Sequence, residues 1–276
     1  MIRGTTKLIA HFGDPIAPVK APMIYNPYFE KAGIDAAVVP MGVRAADYPD
    51  VLRAVFRFTN IGGALVTMPH KVTTVALVDH CSTAVRIAGS CNAVIRRPDG
   101  TLAGDMFDGA GFVRGVERKG LRLTGMKALV VGSGGVGSAI AAALAAANVA
   151  AIGVFDAHAP SAEALARRLT EYYPRLEVRF GSSDPEGYDI AVNATPLGMN
   201  VDDPLPFDVS RLAPSTFVGE VVMKQEMTPL LSAAKERGCP VQIGTDMLFE
   251  QIPLYLEYFG FPTTTAAELR AVARLS

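Results

Sequence analysis

The segment Lys127-Ala-Leu-Val-Val-Gly-Ser-Gly-Gly-Val-Gly-Ser-Ala-Ile constrains the fold of this chain more than any other. Gly132, Gly134 and Gly137 form G-x-G-x-x-G, a weak pattern alone because glycines are common in turns. Here an apolar β-type run precedes it and a long alanine-rich stretch follows, and that context gives it physical meaning. The first glycine permits a tight turn, the second lets backbone approach a pyrophosphate, and the third lets helix and strand pack closely. Gly135 and Val136 complete the turn, and the helix opening there offers free N–H groups and the positive end of its dipole to an anion. The next apolar run, Ala151 to Phe155, ends at Asp156, 19 positions after Gly137. A carboxylate there accepts hydrogen bonds from both hydroxyls of an adenosine ribose and repels a 2′-phosphate. No arginine follows in Ala157-His158-Ala159 to offset that repulsion. The expectation is a dinucleotide-binding unit that prefers NAD to NADP. The competing role for Asp156 is to cap a turn; His158 either leans toward the ribose or is solvated.

β-type and helix-type segments alternate along the whole chain, which implies an α/β fold with parallel pairing and right-handed crossovers. At 276 residues there is room for two modest domains. The boundaries are expected in turn-rich stretches: residues 1–105, to which the final helices of 240–276 could return, make one domain, and residues 106–239, with the glycine motif, make a Rossmann NAD-binding domain. A cleft between the two is expected. Lys and Arg number 26 against 27 Asp and Glu, with no block of like charge, which argues against a nucleic-acid partner. Cys81, Cys91 and Cys239 are odd in number and widely spaced, which argues against a disulfide framework and fits a reducing compartment. His11, His70, His80 and His158 form no ligand-spaced cluster, so no metal is expected. The most apolar run, about Ser138 to Val154, is interrupted by Asn148 and too short to span a bilayer. No long apolar stretch follows Arg3 and Lys7, so the expected location is the cytoplasm and the expected partner a small molecule.

Two further segments carry candidate chemistry. Val66-Thr-Met-Pro-His-Lys places Lys71 just beyond a strand end and a proline turn, and Asp108-Gly-Ala-Gly-Phe places Asp108 in a glycine-rich turn. Together with Gly13-Asp-Pro-Ile, Pro22 with Asn26, Gly89-Ser-Cys-Asn92-Ala-Val, Asn193-Ala-Thr-Pro-Leu-Gly-Met199, Thr228-Pro-Leu-Leu and Gly244-Thr-Asp-Met-Leu-Phe-Glu-Gln251, they form an ordered series. Through that series the chain resembles the shikimate and quinate dehydrogenase family over nearly its whole length. The resemblance implies that residues 1–105 with the C-terminal helices of 240–276 form a substrate-binding catalytic domain. It implies an NAD(P)-dependent oxidoreductase that interconverts a secondary alcohol and a ketone on a shikimate- or quinate-like cyclic hydroxy acid, with chemistry of the kind used in aromatic amino acid biosynthesis, working as a monomer or homodimer. It implies that Lys71 and Asp108 form the catalytic pair beside the reacting carbinol, whose O–H proton must leave as the carbonyl forms. It implies that Asn92 and Gln251 hydrogen-bond substrate hydroxyls with Thr67 in the same pocket; otherwise they are a turn asparagine and a helix-surface glutamine. The Asn193–Met199 segment, Thr195 included, would lie along the nicotinamide half, with Gly244 and Met247 also at the cofactor; Met247 is otherwise simply core.

The chain departs from that family where the substrate carboxylate is usually held. Val19 and Ala21 stand where a Ser-x-Ser pair is expected, Leu65 replaces an asparagine, Met223 a tyrosine and Tyr25 a histidine. Met106 and Phe107 replace Asn-Thr before Asp108. Each hydrogen bond lost to a charged group costs roughly 1.5–3 kcal/mol. Lys20 and Tyr25 are the candidates to bind an acid differently; if Lys20 points outward, the pocket is simply less polar. The expectation is a retained redox centre with altered substrate recognition. The competing reading from another class is a non-catalytic NAD- or ligand-sensing protein that kept the fold.

Overall fold

The computed structural model describes residues 2–200 and 202–275. The chain divides into two compact units. Among the described residues one holds 2–85, 89–107 and 252–275, the other 86–88 and 108–251.

The first unit opens with β1 (Lys7–Gly13), α1 (Pro22–Ala32), β2 (Ala36–Gly42), α2 (Tyr48–Val55), β3 (Ile61–Val66) and α3 (Lys71–Val75). It continues through β4 (His80–Cys81), α4 (Thr83–Ala88), β5 (Ala93–Arg96) and β6 (Leu102–Asp105). Its sheet runs β2-β1-β3-β5-β6-β4. Strands β2, β1 and β3 are parallel, as the alternating segments predict. By contrast, β5 runs antiparallel to both β3 and β6, so parallel pairing does not extend across the sheet. For β5 and β6 the reason is local: Pro98-Asp99-Gly100 closes a tight turn, with Gly100 at φ +89°, and a short connection reverses the chain where a crossover helix would be needed for parallel strands. Side-chain alternation along β1 separates two packing layers. Phe12 meets Tyr48 of α2 edge-on, ring centroids 5.7 Å apart. Ile9 and His11 point to the other face beside their register partners Gly63 and Leu65. On that face a Cβ at Gly63 would lie 2.4 Å from the ring of Phe259; Phe29 of α1 packs on Phe261.

The second unit begins with α5 (Asp108–Arg118), β7 (Lys127–Val131), α6 (Gly135–Ala146), β8 (Ala151–Phe155), α7 (Ala159–Tyr172) and β9 (Glu177–Phe180). It ends with β10 (Ile190–Asn193), β11 (Phe217–Glu220), α8 (Pro229–Glu236) and β12 (Val241–Gln242). The sheet order is β12-β11-β10-β7-β8-β9, every pairing parallel. Its strands are short apolar runs because helices cover both faces. On one face Val130, Val154, Val192 and Phe217 pack against Ile140, Leu144 and Leu165; on the other Leu129, Val131 and Val218 pack against Leu230 and Leu231 of α8. Two helices close the chain, α9 (Gly244–Tyr258) and α10 (Ala266–Val272).

Two boundaries differ from those read in the sequence. β12 completes the second sheet, and α9 follows as one continuous helix whose residues to Gln251 belong to the second unit and whose remainder belongs to the first. Asp108 is not in a turn but opens α5, a helix that the glycines at 109, 111 and 115 disguise. No helix among the described residues is long and apolar enough to cross a membrane. Nor do any three His, Cys, Asp or Glu side chains among them gather as a metal site. Cys81, Cys91 and Cys239 are free.

Candidate functional site

In the second unit the glycine turn takes the form that its spacing predicts. Gly132 leaves β7 at φ +104°, a conformation that side-chain-bearing residues rarely adopt. Gly134 caps the amino end of α6, and a Cβ there would meet nothing within 4 Å. Gly137 packs so closely that a Cβ would fall 1.9 Å from the carbonyl oxygen of Gly132. Ser133 Oγ, in the middle of this turn, is buried with no hydrogen-bonding partner among the described residues. An open backbone face, a helix amino end and an orphaned hydroxyl together suit an anionic pyrophosphate. Gly135 and Val136 form the first turn of α6.

Asp156 stands just past β8 and is half-buried. Its Oδ2 accepts from Ser133 N at 2.6 Å and its Oδ1 from His158 N at 2.9 Å, so it does tie down the turn. Each carboxylate oxygen has a second lone pair, so ribose hydroxyls remain within its capacity. His158 is exposed and bonds Ser161 Oγ at 2.9 Å.

The segment after β10 is held from within. The Asn193 amide donates to Leu197 O at 2.9 Å and accepts from Thr195 N and Oγ1, at 3.0 and 2.6 Å. Asn193 and Thr195 thus shape the loop, while Met199 is 46% exposed beyond it. A Cβ at Gly244 would lie 2.1 Å from Val222 O, so this glycine lets α9 start against the strand end. Met247 is 2% exposed and belongs to the core around Phe112 and Ile140, the role its helical spacing left open. Gln251 is buried rather than a surface glutamine, and its Oε1 has no partner among the described residues. Asp108, 5% exposed, occupies the first position of α5, where the helix dipole favours a carboxylate.

One acid in this unit escaped the sequence reading. Glu220 ends β11 beside Asn193, is fully buried, and accepts from Thr228 Oγ1 at 2.7 Å. Burial raises its pKa from 4.5 to about 6. A carboxyl group whose pKa rises on folding favours the native state when protonated, so the penalty is absent below about pH 4.5 and complete above about pH 6. That difference is worth about 2 kcal/mol. Glu220→Gln is therefore expected to be more stable than the native protein at pH 7.5 by 1–2 kcal/mol, by order of magnitude, and equally stable at pH 4.5. Urea unfolding at the two pH values checks this; equal offsets at both would show that ionisation of Glu220 is not the cause.

In the first unit the strand ends gather Lys71, Thr67 and Asn92. Lys71 is half-buried at the first position of α3, and its carbonyl accepts from Cys91 N at 2.9 Å. The preceding His70 stacks on Tyr48 with centroids 4.0 Å apart and donates from Nε2 toward Val43 O at 2.9 Å. Thr67 presses its Cγ2 to within 2.6 Å of where a Cβ of Gly13 would be. Asn92 is 1% exposed, and its Oδ1 accepts from Phe107 N at 3.0 Å, so part of the amide stabilises the turn. Lys20 is exposed, Val19 and Ala21 are half-buried, and Leu65 is 4% exposed. Tyr25 is buried, and so is His11, in sequence no more than one of four histidines without metal-ligand spacing. Its signal was its place in the carboxyl half of a parallel strand, the end at which such sheets take ligands. A groove of about 720 Å³ in this unit, lined among others by Arg3, Thr6, Asp35 and Arg274, contains none of these residues and borders the opposite end of β1.

Comparison with known proteins adds to this geometry. The shikimate dehydrogenase substrate binding domain matches residues 12–94. A shikimate dehydrogenase (NADP(+)) of Acidiphilium cryptum is 33% identical over 275 residues, 99% of this chain and 98% of that protein. The crystal structure of shikimate 5-dehydrogenase from Listeria monocytogenes, in complex with shikimate and NAD, is similar with a TM-score of 0.91 at 26% identity, covering 98% of this chain and 97% of the other. A 5-ketofructose reductase of a Gluconobacter species is similar with a TM-score of 0.89 at 26% identity, over 98% and 99% of the two chains.

Proposed function

The chain belongs to the shikimate dehydrogenase family, and from that premise we propose that it interconverts a secondary alcohol and a ketone on a shikimate- or quinate-like cyclic compound, prefers NAD, and recognises its substrate differently from its relatives. The single observation that carries the reading is the placement of Lys71 and Asp108, each at the first position of a helix that starts from a strand end. A nicotinamide dinucleotide, when bound, supplies or accepts the hydride. Gly132, Gly134, Gly137 and Ser133 would hold its pyrophosphate, and Asp156 its ribose. Lys71 Nζ takes the carbinol proton as the carbonyl forms and returns it in the reverse direction. Asp108 is the second catalytic residue of this proposal. Asn92 and Thr67 of the first unit, and Gln251 of the second, would each serve to orient ring hydroxyls.

Asp156 supports NAD, because a 2′-phosphate would face a carboxylate with no arginine nearby in the sequence. This separates the chain from the Acidiphilium relative, whose name specifies NADP. The Gluconobacter neighbour is named for 5-ketofructose, a compound without a carboxyl group, which supports a substrate other than shikimate.

The experiment is a dehydrogenase assay with shikimate, quinate and other cyclic polyols, each with NAD and NADP. Expected are turnover of at least one of them and a kcat/KM about 100-fold higher with NAD. Asp156→Ser with Ala157→Arg should shift that ratio at least tenfold toward NADP, and an unchanged ratio would remove Asp156 from cofactor choice. Efficient use of shikimate would refute altered recognition.

A further inference from the structure

In the first unit two buried side chains end in polar atoms that have no hydrogen-bonding partner among the described residues. They are Nδ1 of His11, whose side chain belongs to a residue 8% exposed, and Oη of Tyr25, 2% exposed. Buried polar groups are ordinarily paired, so two unmet groups in one unit point to something that meets them. His11 lies in the carboxyl half of β1, beside Leu65 and two residues before Gly13, which packs on Thr67. Tyr25 lies in the first turn of α1, just after Val19-Lys20-Ala21. Both groups are uncharged. Burial, and then the charge of Lys71, push the His11 pKa down to about 4, and burial keeps the Tyr25 phenol protonated.

A carboxylate taken out of water needs a cation or several donors. Val19, Ala21 and Leu65 offer no side-chain donor, and Lys20 is exposed. Lys71, on the reading above, is engaged with the reacting carbinol. A neutral imidazole and a phenol instead suit hydroxyl groups, which both donate and accept.

Resting on the oxidoreductase reading above, we propose that His11 and Tyr25 are recognition residues for substrate hydroxyls and that the substrate is a neutral polyol or its ketone, without a carboxylate. The native sequence discriminates against the acid by omission: it keeps the proton-transfer group, and His11 and Tyr25 offer a buried anion at most one donor each and no charge.

The test compares shikimate and quinate with their methyl esters, together with myo-inositol and a neutral ketohexose, using NAD and NADP in the appropriate redox direction. The best neutral compound is expected to show a kcat/KM at least tenfold above the best acid. Tyr25→Phe, which removes one oxygen without altering packing, should raise KM for that compound about tenfold with kcat within about twofold, and His11→Leu should act likewise. A tyrosine with a merely structural role would leave KM unmoved. An acid that outperforms every neutral compound, or an unchanged KM in Tyr25→Phe, overturns the inference while leaving the oxidoreductase reading intact. Silence of the whole panel with both dinucleotides, in a folded protein that binds NAD, overturns the oxidoreductase reading itself.

Discussion

Lys71→Ala is expected to lower kcat about 10³-fold while the dissociation constant for NAD stays within about twofold of the native value. A positioned proton-transfer group contributes roughly 10²–10⁴ to a rate, and 10³ corresponds to about 4 kcal/mol of barrier. Alanine should leave the fold intact, because other groups anchor the start of α3. His70 anchors it by stacking on Tyr48 and bonding Val43 O, and the Lys71 carbonyl still accepts from Cys91 N. Lys71→Arg separates charge from proton transfer. Arginine keeps the cation but does not give up its proton, so it should be as inactive as alanine. Steady-state rates paired with a fluorescence titration of NADH check both variants. A Lys71→Ala protein with more than a tenth of native kcat would remove Lys71 from the mechanism.

The second large effect separates two glycines that the sequence motif treats alike. Gly137→Ala would put a methyl group 1.9 Å from the Gly132 carbonyl oxygen, backbone against backbone, so the turn must open or the helix must back away. Overpacking of this kind costs about 1–3 kcal/mol, and it directly deforms the surface proposed to bind phosphate. The expected result is a clearly lowered melting temperature together with a loss of NAD affinity of about 100-fold or more. Gly134→Ala meets nothing within 4 Å, so its melting temperature should match the native one. Its methyl group instead occupies the face proposed for the pyrophosphate, so NAD affinity should fall with no change in stability. Calorimetry and NAD titration on the pair give the answer. If Gly134→Ala bound NAD normally, the pyrophosphate would not pass over that face.

Much of the second unit was legible because local signals agree there. The apolar runs ending at Val131, Phe155 and Asn193 are strands buried on both faces, and the glycine spacing fixes the turn geometry. The helix at Asp108 was hidden because glycine is a poor helix former. Its glycines serve neighbours that are distant in sequence: a Cβ at Gly109 would strike Ala139 O at 2.0 Å, and one at Gly111 would crowd Gln251. Tertiary packing overrides propensity at those positions, and no local reading sees it. In the first unit Lys71 and Asn92 were readable as parts of motifs. The unmet polar atoms of His11 and Tyr25 were not, since whether a buried group finds a partner is decided by chain segments far apart. Glu220 was missed for the same reason: a strand-end glutamate looks solvated until the sheet closes over it.

The internally bonded loop after β10 has a thermodynamic consequence. Because the Asn193 side chain already fixes Thr195 and Leu197, the chain from Asn193 to Met199 has surrendered much of its conformational freedom before any dinucleotide arrives. Ordering a loop upon association is a cost subtracted from affinity, and here that cost falls on folding. Asn193→Ala should therefore weaken NAD mainly through a less favourable binding entropy, a change that isothermal calorimetry reads without reference to turnover.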